Sequence, residues 1–141
     1  MLVLLLLTLF QYQAFGQKKY SSTNTQAIRL YESGLEYYDK SLNEKAKIEL
    51  EKAIKKDSLF IEPYLILADL AIESRKYDEA ILNYRKVIKI NPNFYPAAYY
   101  TLAAIEFKTG KYADALSHYE RYKTVPGTKP ELVVLSDFRM A

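Results

Sequence analysis

The stretch Ile61–Pro92, IEPYLILADLAIESRKYDEAILNYRKVIKINP, decides the fold. It holds two helix-length apolar patterns separated by the polar break Ser74-Arg75-Lys76. Tyr64, Leu67, Ala68 and Ala71 recur at spacings of three and four in the first. Tyr77, Ala80, Ile81, Tyr84, Val87 and Ile88 do the same in the second. Such spacings put each set on one face of a helix. Pro92 ends the second helix, because it has no N–H and disfavours helical backbone at Asn91.

The neighbouring sequence is built alike. Moved back by about 34 residues, Ala68 falls on Gly34, Ala80 on Ala46, Tyr84 on Leu50, Val87 on Ala53 and Ile88 on Ile54. Moved forward by about 35, Tyr64 falls on Tyr99, Leu67 on Leu102, Ala68 on Ala103, Tyr77 on Tyr112, Ala80 on Ala115 and Tyr84 on Tyr119. Small residues suit the close approach of paired helices, and the aromatics fill gaps between successive pairs. The pattern of small residue, Tyr, Ala, aromatic and Pro resembles the tetratricopeptide repeat family. The resemblance implies an all-α, right-handed α-solenoid of three helical hairpins plus a C-terminal capping helix. Its repeats would run over 27–60, 61–94 and 95–128, with 129–141 as terminal helix or the start of a further region. Ser33, Asn43 and Ser58 depart from the pattern in the first repeat, and Glu106 stands where a small or aromatic residue is expected.

Local signals mark the helix ends. Asn24 or Thr25 can cap the first helix, and Ser41-x-x-Glu44 has the form of a capping box for the second. Pro63 and Pro96 suit the first turns of their helices, and Gly110 suits a left-handed cap. Pro130–Arg139 carries Leu132, Leu135 and Phe138 at helical spacing, as a covering terminal helix would. Glu131, Ser136, Asp137 and Arg139 give that helix only a thin polar face, so the chain is expected to be the N-terminal part of a longer polypeptide.

The first residues read differently. Met1–Gly16, MLVLLLLTLFQYQAFG, has an apolar run from Leu2 to Phe10 and a small-x-small site at Ala14-Phe15-Gly16, with no Lys or Arg before the run. It resembles a bacterial secretory signal peptide with Gln17 as the new N-terminus. The run is far short of the roughly 20 residues that span a membrane. Residues 17–26 read as a polar linker. Export would place the mature chain in the periplasm, or on the periplasmic face of the outer membrane, of a Gram-negative bacterium. The chain has no cysteine, so helix packing rather than disulfides would hold it, and no lipobox cysteine is present.

Half the residues are apolar, 26% are charged and the formal net charge is +3. The basic residues are interspersed with acids, which gives no case for nucleic acid. Catalysis finds no constellation either. His118 is the only histidine and reads as a surface or partly packed residue; Glu120 beside it is no metal motif. Glu49, Glu51, Asp78 and Glu79 read as an ion-paired solvated face. No Gly-rich phosphate loop is present, and neither enzyme activity nor a cofactor is expected.

Tyrosine is the informative excess, with 14 in the chain. Tyr64, Tyr84, Tyr99, Tyr112 and Tyr119 occupy repeat positions and read as core. In the tetratricopeptide family the first helix of each pair lines a concave groove. Residue by residue this implies Tyr31, Leu35 and Tyr38, then Leu65, Asp69 and Ile72, then Tyr100, Ala104 and Phe107. An apolar, aromatic groove with one acid suits a peptide or protein segment. The family's carboxylate-gripping subtype needs cationic and amide groups where Tyr31, Leu35, Leu65 and Asp69 stand, so that subtype is not supported. The third repeat and tail also resemble, in general style, the N-terminal region of bacterial envelope proteins that continue into β-propeller and OmpA-type domains. That resemblance implies a non-enzymatic scaffold in an outer-membrane, peptidoglycan-associated or type IX secretion assembly. The competing expectation is a regulatory or substrate-delivery subunit of an envelope hydrolase or protease.

Overall fold

The computed structural model describes residues 20–129 and Glu131. The leader reading of Met1–Gly16 and the terminal helix, Glu131 apart, lie outside the described residues. Six helices stand in order: α1 Thr25–Asp39, α2 Asn43–Lys56, α3 Ile61–Glu73, α4 Tyr77–Ile90, α5 Ala97–Lys108 and α6 Tyr112–Thr124. They pack as the hairpins α1/α2, α3/α4 and α5/α6, and each hairpin's second helix leans on the next hairpin's first. α1 also touches α3, so first helices line one side of the stack.

Each hairpin turns on the same device. The residue after the helix cap is left-handed in all three: Ser41 at φ 57°, Arg75 at φ 57° and Gly110 at φ 80°. The next N–H then donates five residues back, from Leu42 to Tyr37 O at 2.9 Å, Lys76 to Ala71 O at 2.8 Å and Lys111 to Glu106 O at 2.8 Å. This Schellman closure satisfies carbonyls that the helix end leaves open. The expected capping box does not form: Ser41 is committed to the turn, and α2 starts after Leu42 with no side-chain cap. Asn24 does cap α1, accepting from Gln26 N at 3.0 Å and Ala27 N at 3.1 Å.

The junctions between hairpins repeat too. Asp57 and Asn91 are extended, and their side chains accept from Leu59 N and Asn93 N at 3.0 Å, each forming an Asx turn. α4 ends at Ile90 before Pro92, and Pro63 lies in the first turn of α3.

Small residues allow the pairing. A Cβ on Gly34 would lie 2.9 Å from Leu50 Cγ and 3.3 Å from Leu50 N. Ala46, Ala68, Ala80 and Ala103 are fully buried at matching contacts, and Ala115 nearly so. Ile61, Tyr64, Tyr84, Val87, Leu102 and Ile105 share one core across the second and third hairpins. Tyr31, Leu50, Phe60 and Leu67 join the first to the second. No single hairpin buries its own apolar face; stacking does.

Residues 20–24 are not a free linker. Ile61 N donates to Ser21 Oγ at 2.8 Å, which caps the open start of α3 from the other end of the chain segment. Ser21 N and Oγ both donate to the Glu62 carboxylate, and buried Ser22 donates to Asp57 Oδ2 at 2.5 Å. Tyr20 packs edge-on against Tyr31 and Phe60 at ring separations of 5.4 and 6.0 Å.

Candidate functional site: a groove between first helices

Three of the nine residues expected to line a groove meet at one depression beside α3 and α5. Ile72, Ala104 and Phe107 come together there with Tyr77, Thr101, Ile105 and Lys108 around an open depression of about 510 Å³. Phe107 is 44% exposed, one of several large apolar side chains open to solvent among the described residues. Its outer edge meets Tyr112 at 5.3 Å in a T-shaped contact. Lys108 Nζ lies 4.7 Å from the Tyr77 ring centre and donates to its hydroxyl at 2.8 Å, closing one end. Leu65 is half-buried on the same helix as Ile72.

Tyr31 is a correction. It is buried, with its ring edge-on to Phe60 at 5.2 Å and to Tyr20 at 5.4 Å. The residues ahead of α1 fold over it, which the repeat register does not foresee. Leu35 and Tyr38 are half-buried against the first core. Tyr100 is half-buried and held edge-on by Tyr119 at 5.6 Å, with Tyr122 at 5.7 Å. It packs against α6 and does not line the depression.

Asp69 is half-buried and accepts from Tyr84 Oη at 2.9 Å. Burial raises its pKa; the Tyr84 hydrogen bond opposes this, and Glu73 nearby adds to the rise. Tyr38 Oη donates to Glu73 Oε1 at 3.0 Å. Its pKa is raised by burial first, then by Glu73, Asp69 and Asp39. Burial, Glu62, Tyr20, Asp39 and Glu32 push Tyr31 up to about 12. Burial and nearby carboxylates thus act in the same direction on Tyr31 and Tyr38.

On the other side of α5 lies a network that no sequence motif announced. Glu106 is wholly buried. Its Oε1 receives Arg85 Nη2 at 2.7 Å and its Oε2 faces His118 Nδ1 at 2.7 Å. Arg85 also reaches Asp114 at 2.7 Å. His118 is therefore partly packed, as expected, with a role in joining α5 to α6. The signal was present in Glu106 itself, an acid at a position where the repeat places a small or aromatic residue. A second correction concerns Tyr112, which is 64% exposed rather than core. Its repeat equivalent, Tyr77, is covered by Lys108 of the following hairpin, and among the described residues no hairpin follows Tyr112. Tyr64, Tyr84, Tyr99 and Tyr119 are buried. On the solvated faces Glu49 pairs with Lys52, Asp78 with Lys111, and Glu79 with Lys47 and Lys76.

Among the described residues no helix is long and apolar enough to cross a membrane, and no cluster of His, Asp and Glu has the form of a metal site.

Paired antiparallel helices, repeated turns and a groove along the first helices define a tetratricopeptide-type α-solenoid. The family model of the tetratricopeptide repeat matches residues 71–124, from the end of α3 through α6, and supports that family for this chain. No curated protein matches the sequence. Among solved structures, the chain is similar to the N-terminal domain of stress-induced protein-1 (STI-1) from C. elegans, with a TM-score of 0.74 and 22% identity over 84% of this chain and 98% of that one. It is similar to the first TPR of Spaghetti (RPAP3) bound to the HSP90 peptide SRMEEVD, with a TM-score of 0.70 and 18% identity over 83% and 94%. It is also similar to the Yersinia enterocolitica type III secretion translocator chaperone SycD, with a TM-score of 0.65 and 20% identity over 89% and 98%. These likenesses show the fold.

Proposed function

We propose that the protein is a non-enzymatic scaffold that binds a segment of a protein partner along α1, α3 and α5. The observation that carries this reading is Phe107, 44% exposed beside a depression of about 510 Å³ that Ile72, Thr101 and Ala104 also line. Exposed aromatic anchors in pockets typically dominate affinity at protein interfaces. The structurally similar RPAP3 domain, bound to an HSP90 peptide, supports the mode. The termini of such peptides are not the expected ligand here: Tyr31, Leu35, Leu65 and Asp69 supply no cation to a carboxylate. The leader-like reading of Met1–Gly16 supports export to the bacterial envelope, where an outer-membrane, peptidoglycan-associated or type IX secretion assembly would supply the partner.

The test is capture from envelope extract. Phe107→Ala is expected to abolish capture with the circular dichroism unchanged, because the ring is exposed and little core is lost. Undiminished capture would move the binding surface to the second helices or the loops.

A further inference from the structure

Asp69, Ile72 and Glu73 lie within one turn of α3, so the apolar wall of the depression and two carboxylates share a helix face. Asp39 ends α1 beside Tyr38, whose hydroxyl donates to Glu73 Oε1 at 3.0 Å. Asn43 adds a donor to Glu73 Oε2 at 3.4 Å, and Tyr84 donates to Asp69. The groups bonded to Asp69 and Glu73 are thus neutral, and among the described residues none of Asp39, Asp69 and Glu73 forms an ion pair. Other acids are ion-paired: Glu49, Asp78 and Asp114 each have a Lys or Arg within 2.8 Å. Lys108, the cation that lines the depression, is engaged by Tyr77 at the end away from α1.

We propose that the occupant is a cationic segment of a partner protein, with an apolar side chain seated beside Ile72 and Phe107 and lysine or arginine lying over Asp39, Asp69 and Glu73. This rests on the groove reading above and adds the partner's chemistry. Complementary charge steers encounter and excludes wrong partners. An acidic peptide such as SRMEEVD is accordingly disfavoured, because its carboxylates would face Asp39, Asp69 and Glu73, and Lys108 is held by Tyr77.

A randomised peptide library displayed on phage tests this without knowledge of the natural partner. The expected winners carry Lys or Arg next to Leu, Phe or Tyr, and SRMEEVD does not bind. Asp69→Asn with Glu73→Gln should weaken a synthesised winner on the order of tenfold, since two exposed or half-exposed pairs at under about 1 kcal/mol each are lost. Circular dichroism shows whether that variant remains folded. Acidic or uncharged winners, or a winner whose affinity the double substitution leaves unchanged, overturn the charge proposal. Phe107→Ala separates the two readings: loss of binding there with no effect of the double substitution removes only the charge proposal. Binding indifferent to Phe107→Ala, or no enrichment of any peptide, removes the groove reading as well.

Discussion

Replacing Glu106 with glutamine tests the largest departure from the repeat pattern. The carboxylate is wholly buried and makes contacts of 2.7 Å with both Arg85 and His118. Glutamine keeps the volume, accepts from Arg85 through its carbonyl and can donate to His118 Nδ1. It removes the charge. Hydrogen bonds to charged groups contribute roughly 1.5–3 kcal/mol and neutral ones roughly 0.5–1.5, so two such bonds lose about 2 kcal/mol between them. The Arg85 share must be discounted, because its side chain is 46% exposed and keeps Asp114. The expected net loss is therefore about 1–2 kcal/mol, a fall in melting temperature of roughly 4–16 °C for a domain near this size. Alanine should cost more, toward the roughly 3–5 kcal/mol of a broken buried pair, since it also opens a cavity. Asp114→Ala, which breaks an exposed pair, should cost less than about 1 kcal/mol. Thermal and urea melts of the three variants, with Arg85→Ala to close a double-mutant cycle, measure these terms. A Glu106→Gln variant as stable as the parent, or an Asp114→Ala variant equally damaged, would refute the reasoning.

Other expectations follow from single contacts. Ala80→Trp should unfold the chain or cost well over the roughly 1–3 kcal/mol typical of overpacking, while Glu79→Trp on the exposed side should be mild; equal melting temperatures would show the register to be wrong. Ser41→Gly and Arg75→Gly should each raise stability by a few tenths to about 1 kcal/mol in urea melts, because both residues hold φ at 57° where Gly110 already serves the third turn. Asp69 has its folded-state pKa raised above the ordinary 3.8, so its contribution is fully present below that value and is lost as pH rises through the raised one. Asp69→Asn should then gain on the parent between acid and neutral pH; a gap in melting temperature that does not change with pH would count against the burial argument.

The hairpins were legible because two kinds of residue repeat in register. Gly34, Ala68 and Ala103 mark the close contact, and Ala46, Ala80 and Ala115 answer them. Each of these is fixed by backbone geometry, which repeats with the fold. The groove was legible in part. Ile72, Ala104 and Phe107 follow from the register, but exposure depends on what lies next to each repeat. Tyr31 is buried because Tyr20 and Phe60 close over it, and Tyr112 is exposed because its covering hairpin is absent from the described residues. Tyr77, Thr101 and Lys108 complete the depression from positions that the first-helix pattern alone did not select. The failed capping box at Ser41 has the same origin: a local motif lost to the turn chemistry of the preceding helix.

The buried charges and the groove are consequences of the same helix. On α5, Ala104 and Phe107 face the depression, while Ala103 and Glu106 face α6 and the second hairpin. Rotation of α5 about its axis would move both sets together. Tyr99, Leu102 and Ile105 resist such rotation by packing into the cores, while Ala98, Ala103 and Ala104 between them add little side-chain relief. Glu106, tied to Arg85 of α4 and His118 of α6, supplies a directional restraint that alanine contacts do not. A peptide bound at Phe107 then experiences a wall whose angle is set by hydrogen bonds on a neighbouring face of the helix. Glu106→Gln should therefore weaken the affinity for a groove ligand even at temperatures where the variant is fully folded. Peptide titrations well below its melting transition would show this, and an affinity equal to the parent's would mean that packing by itself fixes α5.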